Sequence, residues 1–482
     1  MSQRAARKVK LSTRLAFGVG QTAEGINSAA FNIFLFFYFN QVLGLPGTLC
    51  GVAVFIALFF DAVSDPVAGQ ISDNHRSARW GRRHPFMFFS AVPLAITFYL
   101  LFSPVGGLGE TVLFIWLTVF AVLVRLSLTL YHVPHYALGA ELTTDYQQRT
   151  TLFSYSTFFA YFGGLSAAMA GYNLFFVETP EYANGLLNAR AYPWFALTCA
   201  VFMWLTIWLC AYGTIKEIPN LPPVPQKAEA FRFRSVLKEI VQALKNPSLR
   251  AVFIGYIIFI VTTGTREALI IHLGVYFFEL TSSQVSLFLV AYFLGVMTAV
   301  MITSRLNQWI DKKPTLIAAL IGYLVFSSAV PGLRFVGLLP ENHTPLLLPT
   351  ILVLSYFGYA CLVMTSITIA SMLADVVDEN ELNTHKRQEG IFYSARSFAV
   401  KTSSGLGHLA AGVAIDAMAF PEKAVPGEVE AEAVRMLGMF WGPLSGVFGL
   451  LALVFYLRYR LNRKRHREIM SALEERRKQA RN

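Results

Sequence analysis

The 482-residue sequence predicts an all-α membrane protein, with twelve membrane-spanning helices in two six-helix bundles. Three observations predict it. Apolar residues make up 55% of the chain and charged residues 14%, with a mean hydropathy of +0.50; a soluble domain carries about 25% charged residues. Apolar stretches long enough to cross a bilayer, roughly 20 residues each, recur about a dozen times. Lys and Arg are confined almost entirely to one set of the intervening loops. Together these exclude a disordered, collagenous or disulfide-stapled chain, and they argue against a soluble enzyme.

The chain opens on MSQRAARKVKLSTRLAFGVG, a basic segment that runs into a full-length span without a small-residue cleavage site. It reads as a retained first helix. Spans one to six are expected at about residues 17–42, 50–72, 86–104, 111–135, 152–176 and 193–213. A polar segment follows, with Pro219, Pro222, Pro223 and Pro225 and the basic amphipathic stretch FRFRSVLKEIVQALK. Spans seven to twelve are expected at about 251–279, 285–304, 315–337, 347–373, 390–418 and 434–457. The tail, RYRLNRKRHREIMSALEERRKQARN, is mixed in charge and reads as a cytoplasmic helix near anionic lipid headgroups. The expected organisation is an N-terminal bundle (1–213), a cytoplasmic linker (214–250), a C-terminal bundle (251–460) and a basic tail (461–482). The loops GQISDNHRSARWGRRHPF and TSRLNQWIDKKPT occupy equivalent places in the two halves, each with an Asp before a basic cluster. That echo fits the internal repeats of transporters.

Net charge is +11. In a soluble protein that balance would raise nucleic acid as a partner; here the placement of the charge matters more. Thirty-two of the forty Lys and Arg fall in the two tails, the linker and the loops on one side, and four fall in the opposite loops. The bias puts both termini in the cytoplasm of a plasma-membrane protein. Cys50, Cys199, Cys210 and Cys361 have neither metal-ligand spacing nor a disulfide pattern.

Charges inside a bilayer are costly and mark function. Asp61 and Asp65 in span two are four residues apart and share one helix face. Two carboxylates that close repel each other, and a bound cation or shared proton relieves this. Oxygen-only ligands suit Na⁺ or H⁺. Ser394, Ser397, Lys401, Ser404 and His408 in span eleven form one stripe, so Lys401 is a candidate counter-charge. Similar stripes are Gln21, Glu24, Ser28 and Asn32 in span one, Arg125, Thr129, His132 and Tyr136 in span four, and Ser154, Thr157 and Tyr161 in span five. Such stripes either line a wet cavity or hold helices together. Arg266 and Glu267 are adjacent, so one serves the cavity and the other a neighbouring helix. His135, His272 and Asp416 stand isolated. The chain carries no G-x-S-x-G, Walker A or H-E-x-x-H signature, which argues against an enzyme and against ATP-driven transport.

The segments DAVSDPVAG (61–69), RWGRRHPF (79–86), VPHYALGAELTTDYQQRT (133–150) and MLADVVDENELNTHKRQEGIFYSARSFAVK (372–401) resemble the glycoside–pentoside–hexuronide:cation symporters. That family is the melibiose-permease branch of the major facilitator superfamily. The resemblance covers nearly the whole chain. It implies two bundles, alternating access and symport with Na⁺, H⁺ or Li⁺, with the cation site on Asp61 and Asp65 and the family's basic position on Lys401. The family's sugar-binding acids fall on Gly25, beside Glu24, and on His132. Its helix-five arginine falls on Thr157, and a neighbouring aromatic position on Tyr136. HVPHYAL and EGIFYS are also similar to the animal lysophosphatidylcholine symporters.

The sequence therefore predicts a cation-coupled symporter without a resident cofactor. Asp61 and Asp65 would hold Na⁺ or H⁺, with Lys401 as their electrostatic partner. Glu24, Asn32, Arg125, His132, Tyr136, Thr157, Arg266 and Ser397 would line the solute site. Asp73, Arg82 and Arg83, facing Asp311, Lys312 and Lys313, would latch the cytoplasmic side in one state. The solute is a sugar or glycoside, with a lysolipid as the alternative. A non-transporting receptor of the same fold is a third reading, which the retained charges disfavour.

Overall fold

The computed structural model describes residues 9–75, 77, 79–143, 145–221, 246–384 and 389–479. The amphipathic stretch of the linker lies outside them. Twelve helical passes cross in alternating directions. They are α1 (11–42), α2 (Gly47–Asn74), α3 (His84–Leu101), α4 (Glu110–Glu141), α5 (146–175) and α6 (Ala191–Thr214), then α7 (247–277), α8 (Ser282–Ile310), α9 (Lys312–Phe335), α10 (Leu347–Thr384), α11 (Glu389–Ala417) and α12 (431–457). A tail helix, α13 (Arg463–Gln479), follows. Among the described residues, nine of the passes are single helices long and apolar enough to span a membrane. The remaining three are α1, α5 and α11. The first is broken into short α-helical and π-helical segments. In the other two, hydroxyls and charges dilute the apolar run.

Local signals fix where passes begin. Thr281 and Gln284 form a reciprocal capping box at α8, and Asn246 accepts from the Ser248 and Leu249 amides at α7. Glycines let helices touch backbone to backbone. A Cβ on Gly25 of α1 would overlap the Ala160 carbonyl of α5, and one on Gly412 of α11 would overlap the Gly47 carbonyl of α2. Large apolar side chains such as Phe89, Trp194, Phe202, Val300 and Val447 are exposed. They suit a lipid-facing surface.

The two ends of the barrel differ. The far face, opposite the termini, is stitched across the halves. The Asp416 carboxylate accepts from the Gly47 and Thr48 amides, both at 2.7 Å, at the start of α2. Gln41 Oε1 accepts from the Tyr276 hydroxyl (3.0 Å) and the Ala424 amide (3.2 Å). His272 Nε2 lies 3.0 Å from Asn40 Oδ1. One apolar core runs beneath this seal and joins Phe31–Phe39 of α1 to Leu273 and Phe277 of α7. His272 and Asp416, isolated in the sequence, are thus struts between halves. His135 is a strut within one half, with Nε2 2.9 Å from the Phe17 carbonyl and its ring stacked on Phe17 at 4.2 Å.

At the termini face, every ion pair between described residues joins groups of the same half. Arg83 pairs with Asp73, and both Arg82 and Arg83 reach Glu141 at 2.7 Å. Lys312 Nζ holds the Asp375 carboxylate at 2.7 Å, Lys313 donates to the Leu457 and Tyr459 carbonyls, and Asp311 accepts from the Arg463 amide. Among the described residues, Asp73, Arg82 and Arg83 do not pair with Asp311, Lys312 and Lys313 in this conformation; the expected latch belongs to one state only. Each cluster ties helix ends within its own bundle, because the halves meet at the far face instead. The tail forms a helix, and its apolar face is packed. Ile469 and Leu473 of α13 are buried in a second core of the C-terminal half, and His466 lies 3.2 Å from Asp378.

Candidate cation and solute site

Helix α2 runs unbroken through Pro66. Asp61 and Asp65 therefore stay one turn apart on one face, and that face meets α11 and α4. Lys401 Nζ lies 2.6 Å from Asp65 Oδ2 and 3.1 Å from Asp61 Oδ2. The Thr129 hydroxyl lies 2.9 Å from Asp61 Oδ1 and 3.2 Å from Asp65 Oδ1. Ser64 in turn donates to Thr129 Oγ1 at 3.3 Å. The structure brings the three expected cation-site residues together. It adds Thr129, which the sequence placed in a polar stripe without linking it to the carboxylates. Among the described residues there is no group of three or more His, Cys, Asp or Glu fit to hold a metal. The oxygens on offer come from two carboxylates and a hydroxyl, the hard set that suits an alkali cation.

Arg125, expected in the solute group, also reaches this cluster. It is only 6% exposed, its Nη1 lies 3.8 Å from Asp61 Oδ2, and its guanidinium stacks over the Phe31 ring at 4.0 Å. Two carboxylates thus face two fixed positive charges. Asp61 and Arg125 are buried, whereas Asp65 and Lys401 are half-buried, so the charges at the exposed end can exchange partners.

A second cluster lies between α1 and α4. His132 Nδ1 is 3.4 Å from Glu24 Oε2, and Ser28 donates to Glu24 Oε1 at 3.2 Å. Tyr136 stacks on His132 at 4.5 Å and remains 42% exposed. Thr157 and Ser397 are exposed and Asn32 is half-buried, with no hydrogen bond among the described residues. These side chains sit on the inner stretches of α1, α4, α5 and α11. A carboxylate, an imidazole and an aromatic face in one place suit a polyhydroxylated solute. The first two exchange hydrogen bonds with hydroxyls, and the ring covers an apolar C–H face.

Arg266 is not brought together with the other expected solute residues. It is 3% exposed and packs toward α9 and α12. Its Nε donates to the Trp441 carbonyl (3.1 Å) and Ser445 Oγ (2.8 Å), and its Nη2 to Ser328 Oγ and the Gly442 carbonyl, both 3.1 Å. It ties α7 to α9 and α12. Its neighbour Glu267 is exposed instead. Arg266→Ala is expected to lower stability by roughly 3 kcal/mol, because buried acceptors lose a charged donor. Melting in detergent reads this. An unchanged midpoint with a raised KM would return Arg266 to the solute site.

The chain matches the MFS/sugar transport protein family model over residues 16–463. It is 27% identical to an isoprimeverose transporter of Lactiplantibacillus pentosus, over 93% of this chain and 89% of that one. It is 24% identical to a glucuronide carrier protein homolog of Escherichia coli, over 97% of this chain and 96% of that one. A crystal structure of a D-xylose–proton symporter superposes with a TM-score of 0.60 at 14% identity, covering 93% of this chain and 98% of that one. The superposition shows the two-bundle fold alone. Two six-pass halves meeting at an acid–lysine cluster, and a family match that takes in both halves, lead to one assignment: this multi-pass membrane protein belongs to the MFS/sugar transport protein family.

Proposed function

We propose that this chain draws a glycoside or related sugar into the cell on a Na⁺ or H⁺ gradient, by alternating access in the plasma membrane. The observation that carries the reading is the cluster of Asp61, Asp65, Thr129 and Lys401, which both halves share. An arriving cation takes over the carboxylates from Lys401 and loosens the tie between α2 and α11. Coupling follows if solute binds better to that loosened state, and the effect is then reciprocal: solute raises cation affinity. The names of the isoprimeverose and glucuronide relatives support a sugar-type solute. The Lys and Arg bias supports cytoplasmic termini. In that orientation the far-face seal closes the outside, and this conformer faces inward. The Asp73–Arg83 and Asp311–Lys313 clusters then form their latch in the outward-facing conformer.

The test is uptake into proteoliposomes of labelled disaccharides and of labelled lysophosphatidylcholine, under a sodium gradient, a proton gradient or neither. Sugar accumulation under one gradient is the expected result, and it names the ion. Lysolipid uptake without sugar uptake, or sugar entry indifferent to both gradients, overturns the reading.

A further inference from the structure

Among the described residues, Glu267 is the acid of the membrane interior that neither the cation cluster nor the Glu24–His132 pair uses. Among the described residues it makes no hydrogen bond or ion pair, although it lies at mid-span on α7 and is exposed. Arg266, the adjacent cation, is committed to α9 and α12 and points elsewhere. Successive residues on a helix are about 100° apart, so Glu267 leaves α7 on a different side from Arg266 and is not drawn into its hydrogen bonds. Its electrostatic neighbours are Tyr292 of α8 and Tyr359 of α10. Those two rings meet edge-on at 5.3 Å, and Tyr292 also senses Tyr161 of α5, across the interface between halves. A carboxylate with no partner among the described residues, beside two tyrosines of its own half, is suited to receive solute hydroxyls.

We propose that Glu267 is the solute-recognition carboxylate of the C-terminal half, and that it selects neutral glycosides over anionic ones. This rests on the glycoside reading above. A sugar held between Glu24–His132 and Glu267 bridges the halves, so its binding bears directly on how they close. The acid accepts hydrogen bonds from two sugar hydroxyls and repels a uronate. The wider charge balance acts in the same sense. In the membrane interior the acids Asp61, Asp65, Glu24 and Glu267 outnumber the cations Arg125, Lys401 and Arg266, with His132 and His408 as histidines nearby. Arg396 lies further toward the termini face, on the Tyr256 hydroxyl, and does not offset Glu267.

The test compares matched solutes that differ by one carboxylate. These are methyl β-D-glucoside against methyl β-D-glucuronide, and the galactose-configured pair, with isoprimeverose as a further neutral probe. Uptake is measured in proteoliposomes under the driving gradient, for the parent protein and for Glu267→Gln, Glu267→Ala and Glu267→Asp. The parent is expected to prefer the neutral partner by at least about tenfold in kcat/KM. Glu267→Gln should bring that ratio close to one. Glu267→Ala should raise the KM of the neutral glycoside about tenfold, the scale of a lost charged hydrogen bond. Glu267→Asp should restore the preference, and the cation concentration for half-maximal uptake should stay unchanged in all three. A parent that prefers the uronide, or a ratio untouched by Glu267→Gln, overturns the proposal while leaving glycoside symport standing. A parent that moves no glycoside under either gradient overturns both.

Discussion

Asp65→Asn is expected to abolish gradient-driven accumulation, taking the inside-to-outside solute ratio down to one, while solute exchange across the membrane persists. Asp65 holds Lys401 at 2.6 Å, the shorter of the two carboxylate contacts, and receives the Thr129 hydroxyl at 3.2 Å. The amide keeps the shape and can still accept from Thr129. It loses the charge that a cation must find. A charge-assisted contact contributes about 1.5–3 kcal/mol, so cation affinity should fall by roughly 10- to 150-fold. Asp61 stays paired with Lys401 and Arg125, which keeps the fold intact. Exchange of labelled for unlabelled solute needs both bundles to rock but no net cation flow. The two assays together separate lost coupling from lost folding. Full sodium- and proton-driven accumulation by Asp65→Asn would remove Asp65 from the mechanism.

What could be read from the sequence follows from the range of the interactions involved. Passes were legible because a bilayer demands about 20 apolar residues wherever it is crossed. Asp61 and Asp65 were legible because four residues on a helix is a fixed geometry. Thr129 was visible only as part of a stripe. Its reach to both carboxylates depends on how α4 sits against α2, and spacing within α4 cannot encode that. Arg266 and Glu267 pose the same difficulty at closer quarters. The sequence requires them to point apart, but only the packing of α7 against Trp441 and Ser328 decides which one is buried. Arg125 shared a stripe with His132, yet it turns toward Asp61 because Phe31 offers its guanidinium a ring to cover. The latch residues raise a different matter. Their partners change with conformation, and one sequence serves every conformation.

The far-face seal yields the second large effect. Gly412→Val should block closure of that face and reduce transport by about 100-fold or more, while solute offered from the far side still binds. The reason is steric. A Cβ at Gly412 would overlap the Gly47 carbonyl, and its next contacts are backbone as well, so no side chain can swing aside to make room. The helices α2 and α11 must then separate. Separation also withdraws the Asp416 carboxylate from the Gly47 and Thr48 amides, one turn further along the same crossing. Steric and polar contributions therefore act together, and the energy that holds this conformer shut is lost as a unit. Moving a two-state equilibrium from 99:1 to 1:99 takes about 5.5 kcal/mol, within the range of a backbone clash combined with two lost charged hydrogen bonds. A reporter cysteine at Thr157, introduced after replacing Cys50, Cys199, Cys210 and Cys361, reads the outcome. It should be shielded from an impermeant thiol reagent applied at the far face in the parent and labelled in Gly412→Val. Parent-like transport, or a cysteine that stays shielded, would mean that α2 and α11 yield at this crossing and that the seal lies elsewhere.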